Sequence, residues 1–209
     1  LFSATMPPEI MKMASAYMKL PIRIEIARSG TTAENVTQEL FIVGKDQKLS
    51  LLSKLLQDYN GSTLVFTKTK YGAKRITRQL KAGGIAVAEI HSNRSLGQRR
   101  EALEGFKSGK YRVLIATDIA SRGIDVVGIE LVINYDLPMT SHDYVHRIGR
   151  TARAGAGGHA ITFAMPGDER DIRAIERLTG KKLPISKLPE GLPHVSVQHE
   201  LREFSRPSG

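Results

Sequence analysis

Six short apolar runs, set apart by amphipathic stretches, constrain this chain more than any other feature of its sequence. The runs are Glu39–Val43, Thr63–Thr67, Ala86–Ile90, Val113–Thr117, Leu131–Tyr135 and His159–Ala164. Each is short and rich in β-branched or aromatic residues, so each reads as a strand. Between and after them lie Gln47–Tyr59, Tyr71–Ala82, Ser95–Lys107, Ser141–Ala154 and Asp168–Leu178, which carry the helical period. Strands alternating with helices are the signature of βαβ units around a parallel sheet. Gly83-Gly84, Ser108-Gly109 and Gly155 fall where helices should stop, and connections of two to six residues suit a compact domain. The expected class is α/β, a three-layer α/β/α domain with a mostly parallel sheet.

The flanks read differently. Pro7-Pro8 can open a helix that continues from Glu9 to Leu20, with Ile10, Met13, Ala14 and Tyr17 as its apolar positions, and Pro21 stops it. A β-rich run comes next at Ile22–Ile26, and the small polar residues of Ser29–Asn35 mark a linker. The expected divisions are 1–27 as the end of a preceding unit, 28–37 as linker, 38–183 as the main domain and 184–209 as a flexible tail. The chain begins with Leu1 inside an apolar stretch, so it is expected to be a piece of a longer protein.

With 209 residues, 41% of them hydrophobic and 25% charged, the chain can bury one sizeable core. Its formal charge of +10 points to a polyanionic partner, most simply nucleic acid, although a basic surface also serves solubility alone. The absence of cysteine excludes a disulfide framework and thiolate metal sites. No apolar run approaches the ~18 residues of a membrane span, so no membrane partner and a cytoplasmic location are expected.

In open parallel sheets, ligands gather outside the carboxyl ends of the strands. There the chain places Lys68-Thr69-Lys70, His91-Ser92-Asn93-Arg94, Asp118 with the stretch to Asp125, and Asp136-Leu137-Pro138. Any one of these alone more commonly caps a helix or makes a turn. The last group leads into His146-Arg-Ile-Gly-Arg-Thr-Ala-Arg153, which spaces Arg147, Arg150 and Arg153 three residues apart. On one helix they would share a broad face, and each guanidinium grips an anion bidentately. Taken by itself, such an octapeptide is more often a solvated basic helix. Gly105-Phe-Lys-Ser-Gly109-Lys110 is one residue too short for a phosphate-binding loop and lies at a helix end.

Together these residues resemble the second RecA-like domain of DEAD-box RNA helicases, over residues 1 to about 180. Ser3-Ala4-Thr5 is similar to the family's third motif, Leu64–Thr67 to its fourth, Ala116–Asp125 to its fifth and His146–Arg153 to its sixth. The resemblance implies that Arg150 and Arg153 are catalytic arginines reaching the γ-phosphate of ATP, and that Gly123 and Asp125 lie beside the nucleotide. It implies that Thr67, Arg99, Thr117 and Asp118 face RNA, and that Ser3, Thr5, His146 and Arg147 couple the two domains. The His146-led sixth motif favours RNA over DNA. Two positions depart from the pattern, Ser92 for glycine and Leu96 for glutamine. The residues that hold the ATP phosphates and Mg2+ belong, by the same resemblance, to a first RecA-like domain, whose last strand and helix are residues 1 to about 27. The implied function is an ATP-dependent RNA helicase fragment with RNA and that first domain as partners, inactive by itself. The alternative is a stand-alone RNA-binding or regulatory module without catalysis.

Overall fold

The computed structural model describes residues 8 to 18, 36 to 121, 126, 128 to 152 and 157 to 192. In chain order the elements are α1 (Pro8–Tyr17), β1 (Val36–Ile42), α2 (Lys48–Asp58), β2 (Thr63–Phe66), α3 (Lys70–Ala82), β3 (Val87–Ile90), α4 (Leu96–Lys107), β4 (Val113–Ala116), α5 (Asp118–Ser121), β5 (Leu131–Asn134), α6 (Ser141–Ile148), β6 (Gly158–Ala164) and α7 (Glu169–Thr179). All six apolar runs form strands, in the order β1-β6-β5-β2-β4-β3, and each ladder is parallel.

Every residue of β2, β3, β4 and β5 is buried, as a sheet covered on both faces requires. Partners in a parallel ladder face the same side, which sorts the helices into layers. Val65, Ile115, Ile133 and Phe163 point into one core with Leu51, Leu52 and Leu56 of α2 and Ala73, Ile76 and Leu80 of α3. Leu64, Phe66, Leu114 and Val132 point the other way, against Ala102 and Phe106 of α4. Val132 is registered with Ala160, which packs with Tyr144 and Ile148 of α6 and Ile172 and Ile175 of α7 on that same side. Three layers result, α2 and α3 below the sheet, α4, α6 and α7 above it. Each fully buried aliphatic side chain contributes about 1.5–3 kcal/mol, so these clusters hold the sheet in register.

The ends of the helices also agree with the sequence. Thr69, Ser95 and Thr140 cap α3, α4 and α6 through their hydroxyls, and Ser95 with Gln98 forms a reciprocal capping box. Gly84 and Gly109 take φ of 78°, where a side chain would be strained. Among the described residues no helix is long and apolar enough to cross a membrane.

Three expectations are corrected. The helix expected over Ser141–Ala154 ends at Ile148, so the three arginines do not share one helix. Gly149 weakens the helix there by about 1 kcal/mol. Beyond it the Thr151 hydroxyl donates to the Ile129 carbonyl at 2.6 Å, Thr151 bridges to Ile129, and Ala152 turns to a φ of 54°. Residues 184 to 186, expected to open the tail, instead continue the sheet: the Leu40 amide donates to the Pro184 carbonyl at 2.8 Å, and the Ser186 amide to the Leu40 carbonyl at 2.8 Å. Likewise β1 begins at Val36, inside the expected linker. The expected strand at 22 to 26 and most of that linker lie outside the described residues.

Candidate functional site

The loops leaving β2, β3, β4 and β5 build the carboxyl edge of the sheet. From β2 the chain turns one way along the sheet to β3, and from β4 it turns the other way to β5, passing over β2. The loop after β2 leads to α3 on one face and the loop after β4 leads to Ala120, Val126 and Ile129 on the other. Neighbouring strands thus send their chains to opposite faces, the arrangement that forms a ligand crevice in open parallel sheets. Thr67 stands at the end of β2, Thr117 and Asp118 at the end of β4.

Arg147 organises the edge. It is on α6, only 2% exposed, and its fork lies on Asp118, Nε donating to Oδ1 at 2.6 Å and Nη2 to Oδ2 at 2.8 Å. Its Nη1 donates to the Asn134 Oδ1 at 3.2 Å and to the Asp136 carbonyl at 2.6 Å. The guanidinium carbon also stacks 5.0 Å from the centre of the Phe66 ring. A planar, permanently charged fork is the group that can satisfy all these acceptors at once.

Asp136 is the second node. Its Oδ2 accepts from the Thr67 hydroxyl at 2.8 Å and from the Lys68 amide at 3.0 Å, and its Oδ1 accepts from Lys48 Nζ at 3.2 Å. Lys48, buried at the start of α2, also donates to the Tyr135 carbonyl at 2.9 Å. Burial alone would raise the Asp136 carboxyl pKa, but the Lys68 amide, the Lys48 charge and the Thr67 hydroxyl outweigh it and hold the group below its ordinary range. Two cations, Lys48 and Arg147, thus balance two carboxylates, Asp118 and Asp136, in a network that spans the crevice.

Three of the expected RNA-facing residues commit polar groups to the protein itself. Thr67 is 1% exposed with its hydroxyl on Asp136, and Asp118 gives both carboxylate oxygens to Arg147. Arg99 is half-buried and donates to the Ala120 carbonyl at 3.2 Å, clamping α4 to α5. Thr117 is half-buried, and its carbonyl accepts the Ser121 amide at 3.0 Å as α5 begins. Of the sixth-motif residues, His146 and Arg150 are half-buried, and the Arg150 amide donates to the Arg147 carbonyl at 3.0 Å. Ser3, Thr5, Gly123, Asp125 and Arg153 lie outside the described residues. Of the two departures from the family pattern, Ser92 is exposed and Leu96 is 82% exposed.

Lys48 and Asn134 were not expected from the sequence as members of this site, and Asp136, expected at the carboxyl edge, was given no role there. The available signals were a polar residue inside the apolar run Leu131–Tyr135 and a lysine opening an amphipathic helix. Buried polar groups need partners, and here they are each other's. Among the described residues no three His, Cys, Asp or Glu side chains gather as a metal site.

The family described as the helicase conserved C-terminal domain matches residues 47 to 155, which span β2 to β5, the Arg147 network and α6. This chain belongs to that family. Its structural neighbours, solved DEAD-box proteins up to 39% identical to it, place it with the DEAD-box members. The chain is 40% identical over 185 residues to the ATP-dependent rRNA helicase RRP3 of Kluyveromyces lactis, covering 88% of itself and 38% of that protein. It is 40% identical over 190 residues to the ATP-dependent RNA helicase DbpA of Bacillus subtilis, covering 90% of itself and 40% of that protein. Its fold superimposes on a DEAD box protein from the hyperthermophile Methanococcus jannaschii with a TM-score of 0.71 at 39% identity, covering 90% of this chain and 50% of that one. It also superimposes on Dbp5 of S. cerevisiae, solved bound to RNA and ADP BeF3, with a TM-score of 0.79 at 28% identity, covering 89% and 50%. This helicase C-terminal domain therefore spans well under half the length of the two curated relatives.

Proposed function

We propose that this helicase C-terminal domain supplies the arginine side of an ATPase cleft and one half of an RNA-binding surface, within an ATP-dependent RNA helicase. The observation that carries the reading is the Arg147 fork on Asp118. It locks α6, which ends at the sixth-motif arginines, to the loop after β4, where the fifth motif faces RNA in the resemblance. Displacing either one displaces the other, which is what coupling of a nucleotide cleft to an RNA track requires.

The described residues fit one part of an ATP site. Arg150, a half-buried cation just past the end of α6, suits a triphosphate oxygen. ATP, when bound, supplies the phosphoanhydride whose cleavage drives the cycle. Arg150, with Arg153, neutralises the charge on the phosphates, an effect worth ~10³ to 10⁵ in rate for arginine fingers in general. By the resemblance, Gly123 and Asp125 would hold the nucleotide, Asp125 by accepting from the ribose hydroxyls. Holding the phosphates and Mg2+ falls to a first RecA-like domain, with Ser3, Thr5 and His146 as the coupling residues. Arg147 is a positioning residue: its fork is already occupied by Asp118, Asn134 and Asp136.

On the RNA side, Thr67 and Asp118 shape the track through Asp136 and Arg147, while backbone amides, Thr117 and Arg99 offer the direct contacts. Such contacts hold the sugar–phosphate backbone without reading bases. Fluorescence anisotropy with a labelled single-stranded RNA and its DNA counterpart tests the reading. The chain alone is expected to prefer RNA through its 2′-hydroxyls, to lose affinity as salt rises, and to turn over no ATP. Equal binding of both strands, or turnover by the chain alone, would contradict it. The stand-alone module draws no support from the relatives, which are named as helicases.

A further inference from the structure

Between Asp58 and Glu89 the sequence contains no acidic residue and six basic ones, Lys68, Lys70, Lys74, Arg75, Arg78 and Lys81. That window concentrates much of the +10 charge on one helix, α3, and the fold decides how it is displayed. Ala73, Ile76, Thr77 and Leu80 bury the inner face of α3 against the sheet. Lys74, Arg78 and Lys81 are exposed on the outer face. At 100° per residue they fall within about 60° of one another, and Lys70 extends the stripe by about another 20° toward the helix start. With a rise of 1.5 Å per residue the stripe runs about 17 Å from Lys70 to Lys81.

The stripe is continuous with the crevice. Thr69 caps α3 two residues after Thr67, and Lys70 Nζ donates to the Asn93 side chain at 3.1 Å, tying the helix start to the loop after β3. Tyr71 stands beside that start, 73% exposed, with Lys70 Nζ 5.3 Å from its ring centre. Arg75 lies off the stripe and hydrogen-bonds Tyr135. On the side toward α4, Glu101 is held by Lys110 at 3.3 Å and by the Tyr111 hydroxyl at 3.0 Å, so this acid near Lys81 is already engaged.

From these observations we infer that the outer face of α3 is a second nucleic-acid contact, holding the phosphates of an RNA strand that continues out of the crevice, with Tyr71 as a stacking platform where the strand turns. A row of cations at regular spacing fits a regularly charged backbone, and an exposed aromatic ring beside it fits a base. The same pair of features favours RNA over an acidic protein surface, which offers no base to stack on the ring. The inference rests on the RNA-binding reading above and extends it along the side of the domain.

The test is the variant Lys74→Gln/Arg78→Gln/Lys81→Gln, three exposed positions outside the crevice, measured on the full chain. Binding is followed against salt for two single-stranded RNAs, one of about six nucleotides and one of about sixteen, both within the range that single-strand tracks span. The longer RNA is expected to lose affinity, its log–log salt slope falling by about 2, since each phosphate contact contributes about 0.7 on a single strand. The short RNA and the melting temperature should not change. An unchanged slope on the longer RNA, in a parent chain that binds both RNAs, overturns this inference alone. A parent chain that binds neither RNA overturns the RNA-binding reading beneath it. Polyglutamate that displaces the longer RNA from the parent at equal charge, but not from the variant, assigns the stripe to an acidic protein partner and also overturns it.

Discussion

Replacing Arg147 by alanine removes the fork from Asp118, the bond to Asn134 and the bond to the Asp136 carbonyl in one step. Breaking a buried ion pair by removing one partner costs about 3–5 kcal/mol, because the other charge is left without compensation. Here the loss lies at the lower end, about 3 kcal/mol. The Asp118 side chain is 26% exposed and regains water, and Asn134 keeps its bond from Nδ2 to Thr162 at 3.1 Å. For a chain of this length, that loss lowers the melting temperature by about 6–12 °C. Urea unfolding followed by circular dichroism measures it directly, with the slope of the transition checked for constancy. Arg147→Lys should recover only part of the loss, since an ammonium keeps the charge and gives up the paired geometry. The cycle with Asp118→Ala should show a coupling of about 1–3 kcal/mol. An Arg147→Ala chain within about 0.5 kcal/mol of the parent, as for an ordinary surface position, would refute the network and return Arg147 to solvent.

The same geometry sets three further outcomes. A Cβ on Gly72 would stand 2.7 Å from the Thr67 hydroxyl, which Asp136 holds in place, so Gly72→Ala should destabilise by about 1 kcal/mol, the clash exceeding the helix-propensity gain; a stabilised variant in the urea transition would show that Thr67 is free to move. Burial pushes the Tyr144 hydroxyl from 10.0 to about 12, a hydrogen bond with Thr162 pulling weakly the other way. The unfolded chain therefore loses this proton first, stability contributed below pH 10 fades as the pH rises toward 12, and Tyr144→Phe should flatten that limb of a stability–pH curve. The depressed carboxyl of Asp136 works in the opposite sense: its contribution is present above the ordinary value of 3.8 and is lost as pH falls through the lower folded value. Asp136→Asn should lower stability at neutral pH and weaken the acid dependence below about pH 4, and an unchanged acid limb would contradict it.

Much of this domain was legible because its strands and helices announce themselves by local pattern. The all-apolar character of runs such as Val113–Ala116 and the capping residues Thr69, Ser95 and Thr140 each act within a few residues of where they stand. The end of α6 was not legible, because a tertiary contact stops it: Thr151 finds the Ile129 carbonyl, 22 residues away in sequence. The pairing of residues 184 to 186 with β1 is similar, since a short Pro- and Ser-containing segment carries no strand pattern of its own. At the site, the sequence showed which residues gather at the carboxyl edge but not which of them face inward. Arg147 and Arg150 look alike in a row of arginines, yet one is an internal brace between Asp118, Asn134 and Asp136 and the other stands past the helix end.

Whether this domain brings arginines to a nucleotide held by another domain is tested most directly by ATP turnover. The measurement joins the chain to a first RecA-like domain carrying a phosphate-binding loop and records ATP hydrolysis with and without RNA, in the parent and in Arg150→Ala and Arg153→Ala. The expected result is RNA-stimulated turnover in the parent and a loss of about 10³-fold or more in each variant, with each variant still folded by circular dichroism. Turnover that survives both substitutions, or is lost only along with the fold, would contradict it.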